Sequence, residues 1–269
     1  MTTVASSCPA PAAVTDGLLD LSIDWSADTP PFPTDPAPIV RWTKRLSSHG
    51  TNHQEIETAL HVGTHLDAPL HWSDRGIDIA SIPLDRLTGP AVVADISAEL
   101  EDFSIIDPSM IERAVRVEDE DIVIVHTGYH RFTFDVPGAD EVRYFWRHPG
   151  ALGTLAQWAV DRRLRWIGFD MASPDHPLNS NLRRLIPEHD VRRAEQRLGA
   201  PLAEVFPSEG FQAFHVIACR AGVPIVENIG GAIDQLLGQR FTAYAFPWRF
   251  VRGEAAMVRV VADRRPGRS

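Results

Sequence analysis

Three short runs of mostly β-branched and aromatic residues constrain the fold of this chain most. They are GPAVVADIS, DIVIVHTGY and RWIGFD, which begin at positions 89, 121 and 165. Continuous apolar runs of this kind are typical of strands that are covered on both faces. The intervening segments DPSMIERAV and HPGALGTLAQWAVDRRL have Pro or Asp near their starts and apolar residues at helical spacing, so they predict helices. Interleaved strands and helices indicate an α/β fold.

Further strand and helix patterns occur on both sides of this central region. The stretch ADTPPFPTDPAP, which begins at position 27, is too rich in proline for a helix or a central strand and is predicted to be a loop. Residues 39–60 predict two strands of a hairpin around the polar segment SSHGTNHQ. The other predicted elements are strands at LLDLSIDWS, VPIVEN, AYAFPWRF and AAMVRVVAD, and helices at EHDVRRAEQRLG and SEGFQAFHVIACRAG.

Length and composition favour one globular domain. Hydrophobic residues make up 44% of the 269 positions and charged residues 23%, which excludes a largely disordered or coiled-coil chain. Single α/β domains of this length are common. We therefore predict one domain over residues 17–262, with a flexible tail rich in Ala, Pro and Ser at 1–16 and a basic one at 263–269.

Charge and cysteine content exclude several classes of partner. A formal net charge of -10 argues against nucleic acid, because binding a polyanion requires clustered Lys and Arg, so a small-molecule substrate is favoured. Cys8 and Cys219 are the only cysteines and imply no disulfide framework. The N-terminus has no pattern of a secretory signal, and no run of ~18 apolar residues could span a bilayer. A cytoplasmic protein with no membrane partner is predicted.

The segment HVGTHLDAPLHW concentrates potential metal ligands. Within it lie four titratable side chains, those of His61, His65, Asp67 and His71. On a helix Asp67 would point away from the first two histidines, and Gly63 and Pro69 both oppose a helix. On a regular strand His61 and His65 would be ~13 Å apart at ~3.3 Å per residue, too far for two ligands of one ion. The segment must therefore bend if it binds metal, and Gly63 supplies the freedom to bend.

The types of side chain in this segment indicate a borderline divalent metal. Two imidazoles and a carboxylate, without cysteine, suit zinc or manganese. Three protein ligands leave a coordination position for water, as catalysis requires. The alternative is a solvated polar loop whose histidines bond to the backbone. Because three of the chain's eleven histidines fall within eleven residues, that alternative is disfavoured.

The same segment resembles a known family. HVGTHLDAPLH matches the His-x-Gly-Thr-His-x-Asp-x-Pro-x-His signature of the metal-dependent cyclase hydrolases, which include bacterial kynurenine formamidase and isatin hydrolase. That family also has a helical histidine followed twelve residues later by an acidic or amide residue on a strand, which His215 and Glu227 match here. With GFDMASPDHP, the resemblance covers most of residues 18–261.

The resemblance implies roles for six side chains: metal ligands His61, His65, Asp67, His215 and Glu227, and His71 as catalytic acid and base. Asp67 and Glu227 would bridge a first ion to a second one at His215. An amide at the Glu227 position accompanies a single manganese ion in isatin hydrolase-like members, so the carboxylate here favours two zinc ions. The implied fold is an α/β domain of the swivelling β/β/α type, assembled as a homodimer or homotetramer.

Several other residues were weighed as site candidates. Phe32, in the Pro-rich loop, stands where kynurenine formamidase-like members carry a Trp near their substrate, so we predict a substrate contact and a specificity other than the kynurenine type. Asp175 and His176 are explained equally well by a capped turn and are left out of the site. Cys219 could face the metal, but a free cysteine usually packs as a small hydrophobe. The segment 178–207 is longer than we expect in a kynurenine formamidase.

Three functions are compatible with these residues. The first is hydrolysis of the carbon–nitrogen bond of an aryl formamide or cyclic amide or imide by metal-activated water, with His71 donating a proton to the departing nitrogen. The second is a lactone or dienelactone-type ester hydrolase on the same centre. The third is a metal-binding module without catalysis, which would need a closed coordination shell and no His71. A two-metal site requires that His215 lie close to Asp67 in the folded chain.

Overall fold

The structure, a computed structural model, describes residues 17–207 and 210–265. The predicted tail at 1–16 and the last four residues of the chain lie outside these ranges. The final strand ends at Asp263, and the domain boundaries at 17 and 262 stay predictions. No helix in the described ranges has both the length and the apolar character needed to cross a membrane.

Strands and helices of the described residues alternate through the middle of the chain. The strands are β1 (Leu18–Asp20), β2 (Ile39–Lys44), β3 (His53–Glu57), β4 (His65–Asp67), β5 (Thr88–Asp95), β6 (Ile105–Ile106), β7 (Ile122–His126), β8 (Gly150–Ala151), β9 (Ile167–Phe169), β10 (Ile225–Glu227), β11 (Arg240–Ala245), β12 (Ala255–Met257) and β13 (Val260–Asp263). The α-helices are α1 (Leu46–His49), α2 (Pro108–Ala114), α3 (Glu141–Trp146), α4 (Gly153–Asp161), α5 (Glu188–Leu198), α6 (Leu202–Val205) and α7 (Ala213–Arg220).

Among the described residues, nine strands form one sheet in the order β1-β13-β11-β5-β7-β9-β10-β4-β12. Its centre is parallel, because β5, β7, β9 and β10 run in the same direction with helices between them along the chain. The flanking strands β4, β12, β11, β13 and β1 pair antiparallel. The parallel centre confirms the predicted α/β fold.

The central strands are apolar along their whole length because both faces of the sheet are covered. On β7, Val123 and Val125 point into the core beneath the helices, whereas Ile122 and Ile124 point into a second core. Successive side chains of a strand alternate between faces, so a strand between two cores needs a continuous apolar run. The second core gathers side chains from both ends of the sheet, including Leu19 of β1, which means that the sheet curls around it.

Some predicted elements differ in extent from the observed ones. The hairpin of β2 and β3 is confirmed. The strand predicted at AYAFPWRF ends at Ala245, before Pro247, which has no N–H to donate to a sheet. The strand predicted at AAMVRVVAD is two strands, because β12 pairs with β4 whereas β13 pairs with β1 and β11. Helix α7 begins only at Ala213, after Gln212 with φ +45°.

Polar side chains cluster where the parallel strands end. Asp95 is the last residue of β5, His126 of β7 and Glu227 of β10, and Asp170 directly follows β9. Because neighbouring parallel strands end at the same edge of a sheet, these side chains share one edge of the domain. Loops at the carboxyl ends of parallel strands are where α/β proteins usually place their binding sites.

Candidate metal centre

The segment that carries the predicted ligands bends at the glycine, as the sequence required. Gly63 has φ +71°, in the left-handed region that favours glycine. A Cβ there would lie 2.9 Å from Cδ1 of Trp25, so any side chain would also force Trp25 to shift. After the bend the chain enters β4 and then a 3-10 turn over Pro69–Trp72. The bend brings Nδ1 of His61 within 3.1 Å of Nε2 of His65.

Strand pairing and one helix bring the distant ligands to this segment. On β4, His65 lies opposite Glu227 of the neighbouring antiparallel strand β10. Helix α7 carries His215, whose Nε2 lies 3.5 Å from Oδ2 of Asp67. The two parts of the site, which are separated by about 150 residues in sequence, therefore meet in the folded chain.

The first half of the site consists of three atoms that face one another. Nδ1 of His61 lies 3.0 Å from Oδ1 of Asp67, and Nε2 of His65 lies 3.4 Å from the same oxygen. Four ligands placed tetrahedrally ~2.0–2.1 Å from a zinc ion are ~3.3 Å from one another. His65 donates Nδ1–H to the Gly63 carbonyl at 2.9 Å, which leaves its Nε2 free to act as a ligand. The spacing fits three ligands of one ion.

The second half of the site shares both carboxylates with the first. Nε2 of His215 lies 3.2 Å from Oε1 of Glu227, whereas Oε2 of Glu227 lies 3.3 Å from Nε2 of His65. Asp67 divides its oxygens in the same way, with Oδ1 toward His61 and Oδ2 toward His215. Each carboxylate thus presents one oxygen to each half, which is the arrangement that two bridged ions would require.

The carboxylates of Asp67 and Glu227 have oxygens without a hydrogen-bond donor, and a divalent cation would supply the missing partner. Both oxygens of Asp67 and Oε1 of Glu227 are buried without a hydrogen-bond partner among the described residues. Buried anions are normally paired or bound to metal. Burial opposes a charged imidazole, yet Asp67 beside it raises the pKa of His61 to about 11 and that of His65 to about 9. Without a metal, protons on these histidines compensate the carboxylates.

His71 lies at the edge of this group and is held by an acidic residue that the sequence analysis missed. Its ring centroid lies 4.4 Å from that of His61 and 5.8 Å from that of His215. Oε2 of Glu254 lies 2.7 Å from Nδ1 of His71 and 2.9 Å from Nε2 of His61. Burial works against its charge, but the two histidines lower the pKa of Glu254 to about 2. No local motif marks Glu254, which directly precedes β12.

Asp175 contacts a predicted ligand of the site, although a capped turn explained it equally well in the sequence. Its Oδ2 accepts a hydrogen bond from Nδ1 of His215 at 2.6 Å. Its oxygens also accept from the backbone N–H groups of Phe214 and His215. A carboxylate on the far nitrogen fixes the ring orientation and leaves Nε2 free to bind metal. The available signal was the position of Asp175 in the loop just after the buried strand β9.

Residues 19–176 match the family model described as a putative cyclase. This chain belongs to the cyclase family. The kynurenine formamidase of Delftia acidovorans is 26% identical over 257 residues, which cover 92% of this chain and 98% of that protein. The kynurenine formamidase of Salinibacter ruber is 36% identical over 83 residues, and this match spans only 30% of the chain and 39% of that relative's length.

Solved structures of the cyclase family share the fold. Isatin hydrolase A from Labrenzia aggregata superposes with a TM-score of 0.70 at 21% identity, over 91% of this chain and 92% of that one. The match confirms the predicted cyclase-type α/β architecture. It also extends well past the part of the chain that the family model covers.

The Pro-rich loop of this cyclase-family chain lines a pocket, but not through the predicted residue. Thr29 and Pro30 of the loop line a pocket whose wall also contains Gly63 and Asn228. Phe32 packs instead against the hydrophobic cluster around Phe103, Leu178 and Leu182. Its assignment as a substrate contact therefore stays a prediction. The same cluster contains side chains of the segment 178–207, so that segment packs under the loop.

Aromatic side chains complete the wall of this pocket. Phe132, Tyr144 and Phe145 line it. Asn228 donates from Nδ2 to the Gly63 carbonyl at 3.1 Å, the same carbonyl that accepts from His65. A small pocket with aromatic walls thus lies beside Gly63, in the segment that carries the predicted ligands. Cys219, by contrast, is buried in the core under the helices, as expected of a small hydrophobe.

Proposed function

We propose that this chain is a metal-dependent hydrolase that cleaves the carbon–nitrogen bond of an aryl formamide or a cyclic amide or imide. The observation that carries the proposal is the pair of buried carboxylates, Asp67 and Glu227, each with one oxygen toward each half of the histidine cluster. Its similarity to kynurenine formamidases and isatin hydrolases supports the same reaction class.

We propose zinc, as a pair of ions, over a single manganese ion. The first ion would be held by His61, His65 and Asp67, and the second by His215 with the shared carboxylates. A carboxylate rather than an amide at Glu227 supports two ions. Divalent ions held by these side chains would supply Lewis acidity toward a carbonyl oxygen and a water of lowered pKa.

The protein's own side chains would manage protons at the site. Amide nitrogen is a poor leaving group unless it is protonated, so a proton donor beside the centre is required. His71 is the side chain that we assign to this task. Glu254 bonds to Nδ1 of His71 and thereby orients the ring. Since the same carboxylate also bonds to His61, proton transfer and ligand position are coupled through one residue.

The aromatic pocket has room for about one water molecule, so it would take the ring of an aryl substrate only if its walls moved apart. Phe132, Tyr144 and Phe145 offer ring faces and edges to a flat apolar group. Asn228 holds the wall of the pocket, since its amide bonds to the Gly63 carbonyl and accepts from the hydroxyl of Tyr144. Phe32 remains our predicted contact from the Pro-rich loop, in a position to reach a bound ring only if that loop shifts.

A lactone-type ester hydrolase is the second candidate function. The same centre would serve it, and an alkoxide leaving group needs less help from His71. A metal-binding module without catalysis is the third. Such a module would not require a carboxylate that orients His71, as Glu254 does. We further propose that the protein acts in the cytoplasm as a homodimer or homotetramer, on a small molecule and without nucleic acid or membrane partners.

The experiment that tests the proposal combines metal removal with a substrate panel. The purified protein is stripped with a chelator, reloaded with Zn²⁺ or Mn²⁺, and assayed with aryl formamides, isatin, cyclic imides and lactones. We expect hydrolysis of at least one amide or imide that is lost on stripping and restored by zinc. Activity on lactones alone would favour the ester hydrolase, and metal binding without turnover of any compound would favour the non-catalytic module.

A further inference from the structure

A second group of histidines and carboxylates lies at the carboxyl edge of the sheet, and it shares no residue with the proposed active site. His126 ends β7, and His130 lies in the 3-10 turn Tyr129–Phe132 that follows. Asp170 follows the neighbouring strand β9, and Asp234 lies on the 3-10 turn Ile233–Gln235. None of these residues is among the ligands of the first site. The group therefore needs its own explanation.

Asp170 serves as a support in this group. Its Oδ1 accepts from the backbone N–H and the hydroxyl of Thr127, at 2.7 and 2.6 Å. Its Oδ2 accepts from the N–H of Gly128 and from Nδ1 of His130, both at 2.8 Å. With four hydrogen bonds the carboxylate is satisfied. Its effect is to fix the proton of His130 on Nδ1 and to leave Nε2 facing outward.

Asp95 holds His126 in the same way. Nδ1 of His126 lies 2.8 Å from Oδ1 of Asp95, the residue directly opposite it on β5. The carboxylate can only accept, so Nδ1 carries the proton. Both histidines therefore have a carboxylate on Nδ1, which is the support that metal-binding histidines almost always have.

The two remaining nitrogens converge on one oxygen. Nε2 of His126 lies 3.0 Å from Oδ1 of Asp234, and Nε2 of His130 lies 3.4 Å from the same atom. If neither nitrogen is protonated, lone pairs face a carboxylate, which is repulsive. A positive charge is needed at this point, and it can be two protons or one divalent cation. The ring of His126 is fully buried, whereas Asp234 is half exposed and opens the group to solvent.

We propose that His126, His130 and Asp234 form a second divalent-cation site that prefers zinc or a similar borderline ion. Two imidazoles and one carboxylate suit such ions and suit calcium or magnesium poorly. Half-exposed Asp234 leaves room for water as a further ligand. A cation there would tie the ends of β5 and β7 to the turn that carries Asp234, so its role is structural. The site does not depend on the proposed function of the first centre.

Arg131 is the group that competes with a cation at this position. Its guanidinium donates to Oδ1 of Asp234 at 3.2 Å. The side chain of Arg131 is 56% exposed and donates to the same oxygen that the two histidines face, so a cation bound there would leave the arginine to Oδ2 or to solvent. The balance of charge favours a cation, since Asp95, Asp170 and Asp234, of which only Asp170 is fully buried, outnumber this one arginine.

The test counts zinc ions in the full-length protein. Wild type and Asp234→Asn are equilibrated with the same micromolar free Zn²⁺, and bound zinc is measured per chain. We expect Asp234→Asn to bind one ion fewer while it keeps its hydrolytic activity. The matched control is Asp119→Asn, since Asp119 is equally exposed and also pairs with an arginine, Arg163. This control should bind as many ions as wild type.

A second variant and a second measurement make the outcome decisive. His130→Asn should also bind one ion fewer, and added zinc should raise the melting temperature of wild type more than that of either variant. Because Asp234 is at the surface, its variant decides the question even if His130→Asn fails to fold. Equal zinc content in wild type and Asp234→Asn would show that the group holds protons only and would overturn the proposal.

Discussion

Glu254 lies 2.7 Å from Nδ1 of His71, although 183 positions separate the two residues in the chain. The same oxygen lies 2.9 Å from Nε2 of His61. One carboxylate, directly before β12, therefore contacts the proposed proton donor and a proposed metal ligand. Any change at Glu254 should affect both the turnover and the metal affinity of this protein.

Glu254→Gln tests that coupling. The amide keeps the size of the side chain but no longer supplies the negative charge that orients His71 and His61. We expect kcat to fall and metal to bind more weakly, each by about 10–100-fold, as for other groups that orient a ligand. Steady-state kinetics and metal titration measure the two effects. A variant with wild-type kcat and weakened metal binding would restrict Glu254 to ligand support.

His71→Ala should separate proton transfer from metal binding. We expect the bound metal to stay at the wild-type level while kcat on an amide falls by about 10²–10⁴-fold, the range typical of a general acid or base. His61→Ala is the matched comparison and should lose metal as well as turnover. If His71→Ala retains activity on lactones but not on amides, the leaving-group argument is supported. Wild-type turnover of amides by this variant would remove His71 from the mechanism.

Asp175→Asn tests the support of the second half of the site. The hydrogen bond at 2.6 Å to Nδ1 of His215 would lose its charge, so the ring would be less well fixed. We expect metal affinity to fall about 10–100-fold. Asp161→Asn on the surface of α4, where Asp161 accepts from Gln157, is the control and should bind metal as wild type does. Unchanged metal affinity in Asp175→Asn would show that His215 needs no carboxylate behind it.

Gly63→Ala tests the bend in the ligand segment. Alanine in the left-handed region costs about 1–2 kcal/mol, and the new Cβ would also meet Trp25 at 2.9 Å. We expect a larger loss of unfolding free energy than for Gly222→Ala, together with weaker metal binding. Gly222 has φ +83° with open space around it, so its variant carries the backbone cost alone. Urea denaturation of the two variants compares them, and equal losses would mean that Trp25 moves aside.

Acid should destabilise the fold through His176. Its Nε2 donates to the carbonyl of Phe103 while Nδ1 accepts from the N–H of Leu178, so both nitrogens are used in the neutral ring. Burial lowers the pKa of His176 to about 3. An unfolded histidine has a pKa of ~6.5, so the unfolded chain binds the extra proton between these values, and stability is lost as the pH falls below ~6.5.

The size of this effect can be measured with one variant. The loss should approach ~1.4 kcal/mol per pH unit below pH 6 from this group. Urea denaturation from pH 7 to pH 5 gives the slope for wild type. His176→Gln has no titrating ring and should show a shallower slope, although it is less stable at pH 7. A variant with the wild-type slope would assign the acid sensitivity to other groups.

From the sequence alone we could predict the features that depend on residues close to one another along the chain. The central strands were visible because a strand between two cores must be apolar at every position, as in β7. The bend at Gly63 followed from the distance between His61 and His65 on a straight strand. His215 and Glu227 came from the family resemblance, and the folded chain brings them to Asp67.

Only the tertiary structure decided which distant polar groups meet. Glu254 carries no local pattern and the position of Asp175 after β9 did not name its partner, since His215 and His71 are 40 and 183 positions away from them. The convergence of His126 and Asp234 is of the same kind, because strand order and loop path determine it. Residue type and local spacing specify strands, helices, bends and ligand chemistry. The contacts that orient those ligands arise from the packing of the whole chain, which no short segment encodes.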